Sequence, residues 1–304
     1  MTALVAAPAV TLDLPAPGFA ARAARLLTDA NRFDLCLILT LMLLLLYPPS
    51  AWYAAIPLSV LALGALIFPW LRLSRWLWAA VGGLCLLGTS AQWYTADNHK
   101  YLLAYWCLAV ALSLWSAEPD RTLAVTARRM LVLVFALAVV QKSLADDYLS
   151  GAFFHYELLM DQRFTWLAQH VGAVPRHMLD LNEAARLALI NFDSPLPAVR
   201  LESTPRAASL ALAITWWDYL VQVAIAAVYA WPCADRLGRT RDLWLLSFLA
   251  ATYLFAPVIG FGWLLAILGL AQTDPGRLRT RAAFVAVFLL LQIYRMPWTQ
   301  LGTN

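Results

Sequence analysis

Long apolar runs, separated by short polar links, follow one another along almost the whole chain. Runs of this length indicate helices buried in an apolar environment, although several are shorter than the roughly 20 residues that a straight membrane span requires. The runs cover about residues 33–47, 53–71, 76–94, 101–115, 130–144, 207–231, 243–271 and 282–296. The pattern predicts an all-α fold, a polytopic transmembrane helix bundle of about eight or nine crossings.

The run 243–271 is too long for one untilted span. Ala256-Pro257 and the pair Gly260 and Gly262 lie in its middle. Proline interrupts the hydrogen-bond pattern of a helix, and irregular backbone at membrane depth requires protein cover. We therefore predict a broken helix or a tight re-entrant pair, and favour two short crossings.

Composition supports a membrane location. Charged residues make up 13% of the 304 residues and hydrophobic residues 62%, whereas soluble domains carry about 25% charged residues. The net charge of +4 is better explained by membrane topology than by nucleic-acid binding, which we do not expect. The four cysteines form no C-x-x-C pair and are interpreted as small, mostly buried residues.

Arginine sets the predicted orientation, because cytoplasmic links carry an excess of basic residues. With a cytoplasmic N-terminus, alternate links fall inside and bring their arginines with them. The fifth link joins them only if run 243–271 crosses twice. The arginines of the five links are Arg22, Arg25, Arg32; Arg72, Arg75; Arg121, Arg128, Arg129; Arg236, Arg239, Arg241; and Arg277, Arg279, Arg281.

The sequence also predicts an N-terminal segment before the membrane domain and a long segment within it. Residues 1–32 are expected to form a disordered tail followed by an amphipathic segment on the membrane surface, and residues 33–300 the membrane domain. On the outer side, residues 146–205 contain amphipathic stretches and are expected to fold against the mouth of the bundle.

Lysine is rare, since 20 of the 22 basic residues are arginine and only Lys100 and Lys142 are not. Lysine can lose its proton when desolvated and then act as a base, which arginine does not do. By the predicted topology, Lys142, Lys100 and His99 share the outer face. A simpler role for Lys142 is to extend to the interface or to pair with Asp146, and Lys100 is interpreted as an ordinary loop cation.

Asp218 is the other unusual residue, because it lies inside an apolar run. An ionisable group within a membrane segment is a candidate functional residue, although Asp218 could also be hydrated near the end of its helix. His155, His170 and His177 show no spacing typical of metal ligands, so no metal site is predicted.

Two stretches resemble a known family. Asn98-His99-Lys100-Tyr101-Leu102 is similar to the Asn-His-x-Tyr-Leu signature of the vitamin K-dependent γ-carboxylase membrane domain, which bacterial HTTM-domain (horizontally transferred transmembrane) proteins share. The stretch from Gln141 to Gly151 resembles the second signature, a lysine at a helix end followed by an acidic turn, an aromatic residue and a glycine. Residues 253–275 also resemble the late helices, and the resemblance extends over about residues 33–296.

The resemblance implies a multi-pass protein of a bacterial inner membrane. It also implies a site at the outer face, with Lys142 as the base that deprotonates a reduced quinone and His99 as its partner. Asn98 and Tyr101 would bind the substrate, and we add Asp218 as a further candidate. Lys142 lies nine residues before Gly151, one more than the signature spacing. Because the sequence ends at Asn304, we expect no large lumenal domain and no carboxylation of a protein substrate.

Two classes of function remain open from the sequence. One is a membrane enzyme acting on a quinol or another lipid, related to carboxylases or oxygenases. The other is a non-enzymatic membrane component, either a transporter or a subunit that binds a protein partner through the outer segment. The enzyme requires Lys142 itself, whereas a partner-binding subunit would tolerate arginine there.

Overall fold

The computed structural model describes residues 25–94, 96–191, 198–231, 236–255 and 258–295. All regular secondary structure in these ranges is helical, with no β-strand, as the apolar runs predict. The helices are α1 (Asp29–Leu46), α2 (Trp52–Ile67), α3 (Pro69–Arg72), α4 (Arg75–Ser90), α5 (Asn98–Ser113), α6 (Pro119–Leu144), α7 (Ala152–Met160), α8 (Thr165–His170), α9 (Arg176–Ile190), α10 (Pro205–Ala230), α11 (Arg236–Phe255), α12 (Ile259–Ala271) and α13 (Leu278–Leu290). Short 3₁₀ turns occupy Gln162–Phe164 and Leu291–Arg295.

Two of the helices in these ranges are long and apolar enough to cross a membrane, namely α6 and α10, each 26 residues long. By length and composition alone, fewer helices qualify than the eight or nine crossings that the sequence predicts. Helices α2, α4 and α5 have 16 residues each, and α12 and α13 have 13. Helix α1 carries Asp29, Arg32 and Asp34 within its 18 residues, and α11 begins with several charged residues.

Helix α12 is the centre of the bundle. It packs against α1, α5, α6, α11 and α13, and from Gly262 to Ala271 every residue is buried. Its sequence is apolar on all sides, which is typical of a helix with no face toward solvent. Gly269 permits close packing against α13, because an added Cβ would lie 2.4 Å from the Phe284 ring.

Helices α11 and α12 form an antiparallel hairpin, in the place where the sequence predicts a broken helix. Arg241, near the start of α11, contacts Asp274, just beyond the end of α12, at 2.6 Å. Phe255 ends α11 and Ile259 begins α12, so the chain reverses within a few residues. The predicted break at Ala256-Pro257 itself lies outside the described residues.

Arginines from all five links assigned to the cytoplasmic side meet at one end of the bundle. Arg32 in α1 pairs with Asp120 at the start of α6. Arg281 is fully buried and donates to Thr273 Oγ1 at 2.9 Å, and it pairs with Asp29. A buried guanidinium needs several acceptors to offset the loss of hydration, and the links at this end of the bundle supply them. The links contribute Arg32, Arg72, Arg128, Arg241 and Arg281, bound to acidic side chains or main-chain carbonyls.

At the opposite end, the outer segment forms helices α7, α8 and α9. A second core, separate from that of the bundle, joins Leu158, Leu159 and Phe164 of this segment to Ala207 and Ala211 of α10. The small alanine side chains of α10 allow the short helices to lie close to it. The outer segment thus packs against one long helix, α10, at the end of the bundle opposite to the arginines.

Cys36, Cys85 and Cys107 are buried and unbridged, in agreement with their interpretation as small core residues. Cys233 lies outside the described ranges. Residues 1–24, which include most of the predicted tail, lie outside them as well.

Candidate functional site

A groove with a volume of about 940 Å³ lies between α5 and α6. Its walls are mainly apolar side chains of the two helices, and most of its polar groups lie near the start of α5 and the end of α6. The polar residues at this end are Asp97, Asn98, His99, Tyr101 and Gln141, and Thr126 lies toward the other end, on α6. A long apolar channel with polar groups at one end suits a ligand with a polar head and an apolar tail.

His99 lies at the polar end of this groove and is held by three elements. Its Nε2 lies 3.2 Å from the Tyr47 hydroxyl at the end of α1, and the two rings stack. Phe261 of α12 flanks the imidazole, with ring centroids 6.0 Å apart. Asp97 Oδ2 lies 3.8 Å from Nε2. The imidazole is therefore fixed in orientation beside the groove.

Lys142 occupies a different site, where α6 meets α10. Its ammonium group contacts the carboxylate of Asp218 directly, and the ammonium also lies 4.8 Å from the centre of the Tyr148 ring. The Tyr148 hydroxyl donates to the same carboxylate, and Gln222 Nε2 donates to Asp218 Oδ1 at 2.9 Å. Asp218 thus accepts three hydrogen bonds, one of them from a cation.

The turn that follows α6 brings Tyr148 to Asp218. Gly151 ends this turn with φ of +85°, a conformation that glycine adopts without strain. An added Cβ there would lie 3.2 Å from the Leu212 Cα on α10, a tight contact that glycine avoids. Burial and the adjacent Asp218 carboxylate raise the pKa of Tyr148, which keeps its hydroxyl protonated as a donor.

A second cavity of about 440 Å³ lies between α7, α8, α10 and α11, on the other side of Asp218. Phe154, Phe164 and Trp217 form aromatic walls, and Asp218 and Thr252 are its polar members. The Thr252 hydroxyl is buried without a hydrogen-bond partner, as is the Oε1 atom of nearby Gln222.

The structure therefore separates the predicted site residues into two groups. Asn98, His99 and Tyr101 line the α5–α6 groove, whereas Lys142 and Asp218 form an ion pair against α10. Gln141 faces the groove, and because neighbours on a helix point about 100° apart, Lys142 is turned away from it. The alternative partner Asp146 is exposed.

Several residues of these sites were not predicted. Tyr47, Phe261 and Gln222 carry no sequence signal, because each belongs to a distant helix and only packing brings it in. Tyr148 is the exception, since it is the aromatic residue of the second signature. The outer histidines serve local contacts: His155 lies 2.6 Å from Ser203 Oγ, and His170 lies 2.9 Å from the Trp166 carbonyl. Among the described residues, no group of three or more metal-ligating side chains comes together.

Comparison with known proteins yields no relative. No protein-family model matches the chain, and no curated protein or solved structure is significantly similar to it.

Proposed function

We propose that this chain is an integral membrane protein that holds an amphipathic, lipid-borne ligand in the α5–α6 groove. A reduced quinone is the proposed ligand, and the resemblance to the HTTM family contributes that chemistry. The observation that carries the proposal is the groove itself, with its apolar walls and a fixed imidazole at the polar end. A quinol has a hydroxylated ring for such an end and an isoprenoid tail for such walls.

The outward faces of the helices support membrane insertion. On α2, Ile56, Val60, Leu63 and Ile67 form one exposed stripe, with exposed fractions of 52–65%. On α6, Leu133, Leu137, Val140 and Leu144 form another, of which Leu133 and Leu137 also line the open side of the groove. Continuous apolar surfaces of this kind are rare on soluble monomers and are satisfied by lipid.

We also propose nine crossings, with the outer segment on the side of His99. Sixteen helical residues span about 24 Å against a hydrocarbon core of about 30 Å, a mismatch that local thinning or polar flanks accommodate. Helices α12 and α13 are the shortest of these, with 13 residues each, and the burial of α12 within the bundle removes the need to face lipid along its length. The proposed crossings are α1, α2, α4, α5, α6, α10, α11, α12 and α13, with the N-terminus in the cytoplasm of a bacterial cell.

Within this proposal, His99 is the residue that contacts the quinol hydroxyl. Asn98 and Tyr101, at the same end, are proposed to bind the head group. Lys142 is less suited to act directly as the base, because its side chain contacts Asp218 and does not line the groove.

Binding of a reduced naphthoquinone with a short isoprenoid tail tests the proposal. The purified protein in nanodiscs is titrated and tryptophan fluorescence is followed. Ala138→Phe, which fills the groove, should abolish binding, whereas Val140→Phe on the lipid-facing side of the same helix should not. His99→Gln should weaken binding about 2- to 10-fold, the contribution of one hydrogen bond. Equal affinity in the wild type and Ala138→Phe would refute the groove as the site.

A second candidate is a non-enzymatic membrane component. The Lys142–Asp218 ion pair favours it, since such a pair can fix the position of α10 and of the outer segment that α10 carries. Lys142→Arg separates the two candidates. Loss of quinol-dependent proton release with unchanged folding supports the enzyme, and unchanged function supports the structural role.

A further inference from the structure

A third cavity lies at the arginine-rich end of the bundle, between α6 and α10. It has a volume of about 700 Å³ and shares only Leu133 with the α5–α6 groove. Its lining contains two arginines and no acidic residue, and the remaining side chains are mainly apolar. The lining residues are Val125, Arg128, Arg129, Val132, Leu133, Tyr229 and Ala230.

Arg128 is positioned by main-chain carbonyls at the end of α10. Its Nε donates to the Tyr229 carbonyl at 2.8 Å, and its Nη2 donates to the Trp231 carbonyl. A guanidinium has five N–H donors in a rigid plane, so these two contacts orient the group and leave others for a ligand. In the part of the chain that the structure describes, Arg128 has no carboxylate partner.

Arg129, the next residue, is exposed at the same cavity. Two adjacent guanidiniums next to an apolar wall are complementary to a phosphodiester that carries acyl chains. Basic pockets between membrane helices on the cytoplasmic side are typical sites for anionic head groups. Val132 and Leu133 continue from the arginines along α6, in the direction that an acyl chain would follow.

We propose that this cavity binds an anionic phospholipid, with the phosphodiester at Arg128 and Arg129 and an acyl chain against Val132 and Leu133. The inference rests on the proposed membrane insertion of α6 and α10, but not on the quinol groove. The ligand would link the two long helices at the end opposite to the Lys142–Asp218 pair.

Native mass spectrometry of the detergent-solubilised full chain, titrated with phosphatidylglycerol, tests the proposal. Arg128→Gln/Arg129→Gln should weaken binding about 30-fold, from the usual contribution of two basic residues near a membrane surface. The matched control is Arg121→Gln/Arg279→Gln, which removes two exposed arginines from the same end of the bundle but outside the cavity. The control should bind phosphatidylglycerol as the wild type does.

Arg129→Gln alone should weaken binding about 5-fold, and because Arg129 is exposed this variant avoids disturbing the end of α10. An equal loss in the control pair would overturn the proposal, since the effect would then be general surface charge. Equal binding of phosphatidylcholine, or of glycerol phosphate without acyl chains, would overturn it as well. Flotation with phosphatidylcholine vesicles tests insertion separately, so that failure of the lipid site is distinguishable from failure of the proposed membrane location.

Discussion

The Lys142–Asp218 ion pair offers a sharp test of the structure. Removing one partner of a buried pair costs about 3–5 kcal/mol, because a charge is left without compensation. Here the side chain of Lys142 is 20% exposed and that of Asp218 10%, and Asp218 keeps its bonds from Tyr148 and Gln222. We therefore expect Lys142→Met to lower the free energy of unfolding by about 2–3 kcal/mol.

The reciprocal change should cost less. Asp218→Asn leaves a lysine that can turn toward water through its long side chain, so we expect a loss of about 1–2 kcal/mol. The double variant Lys142→Met/Asp218→Asn removes both charges and should lie within about 1 kcal/mol of the wild type. The coupling between the two positions is thus at least about 2 kcal/mol.

Equilibrium unfolding in mixed micelles, followed by circular dichroism, measures these differences. Ser143→Ala is the matched control, because it removes the 2.9 Å contact with Tyr219 one residue further along both helices. That contact is exposed, and its loss should change stability by less than about 0.5 kcal/mol. Additive losses in the double variant would show that the two charges are not coupled and would refute the ion pair as described.

Three further outcomes follow from the same region. Gly151→Ala should destabilise the protein by about 1–2 kcal/mol in the same unfolding assay, because the residue has positive φ and closely approaches α10; an unchanged stability would contradict the turn geometry. Amine labelling read by mass spectrometry should modify Lys142 more slowly than Lys100, and Asp218→Asn should reduce the difference; equal rates in the wild type would contradict the ion pair. Burial, the hydrogen bond that the Glu157 carboxyl donates to Asp161, and the charge of Asp161 raise the pKa of Glu157. The contribution of Glu157 to stability is therefore present below the ordinary pKa of about 4.5 and is lost as pH rises through the higher folded-state pKa. Hydrogen exchange of α7 across pH should therefore lose this component in Glu157→Gln, and identical pH profiles would contradict it.

The proposed ligand grooves occupy different positions on α6. The α5–α6 groove and the α6–α10 cavity open on neighbouring faces of one 26-residue helix. Arg128 and Arg129 line only the α6–α10 cavity, Ala138 and Gln141 line only the α5–α6 groove, and Leu133 is common to both. Binding experiments on the quinol and on phosphatidylglycerol therefore probe two separate surfaces, and variants at one should leave affinity at the other unchanged.

Three features of the architecture could be predicted from the sequence alone. Apolar runs and a low content of charge require helices with apolar surfaces, because only helices satisfy their own backbone over such lengths without water. The arginines of alternate links indicated a common end, and the contacts of Arg32, Arg241 and Arg281 lie there. The reversal between α11 and α12 was also predicted, because proline and glycine interrupt that run. The number of long spans was not predictable, since helix ends depend on packing and on capping.

Only the tertiary structure decided which side chains contact each other. Asp218 is 76 positions from Lys142, and His99 is 52 positions from Tyr47, so no local pattern indicates either contact. The sequence identified Lys142, His99 and Asp218 as unusual because a charge or an imidazole is costly in an apolar region. It could not show which of them face each other, because a rotation of 100° between Gln141 and Lys142 decides which cavity each side chain meets. Packing of α6 between α5 and α10 fixes that rotation, and this is why one motif residue lies at the groove and the other in an ion pair.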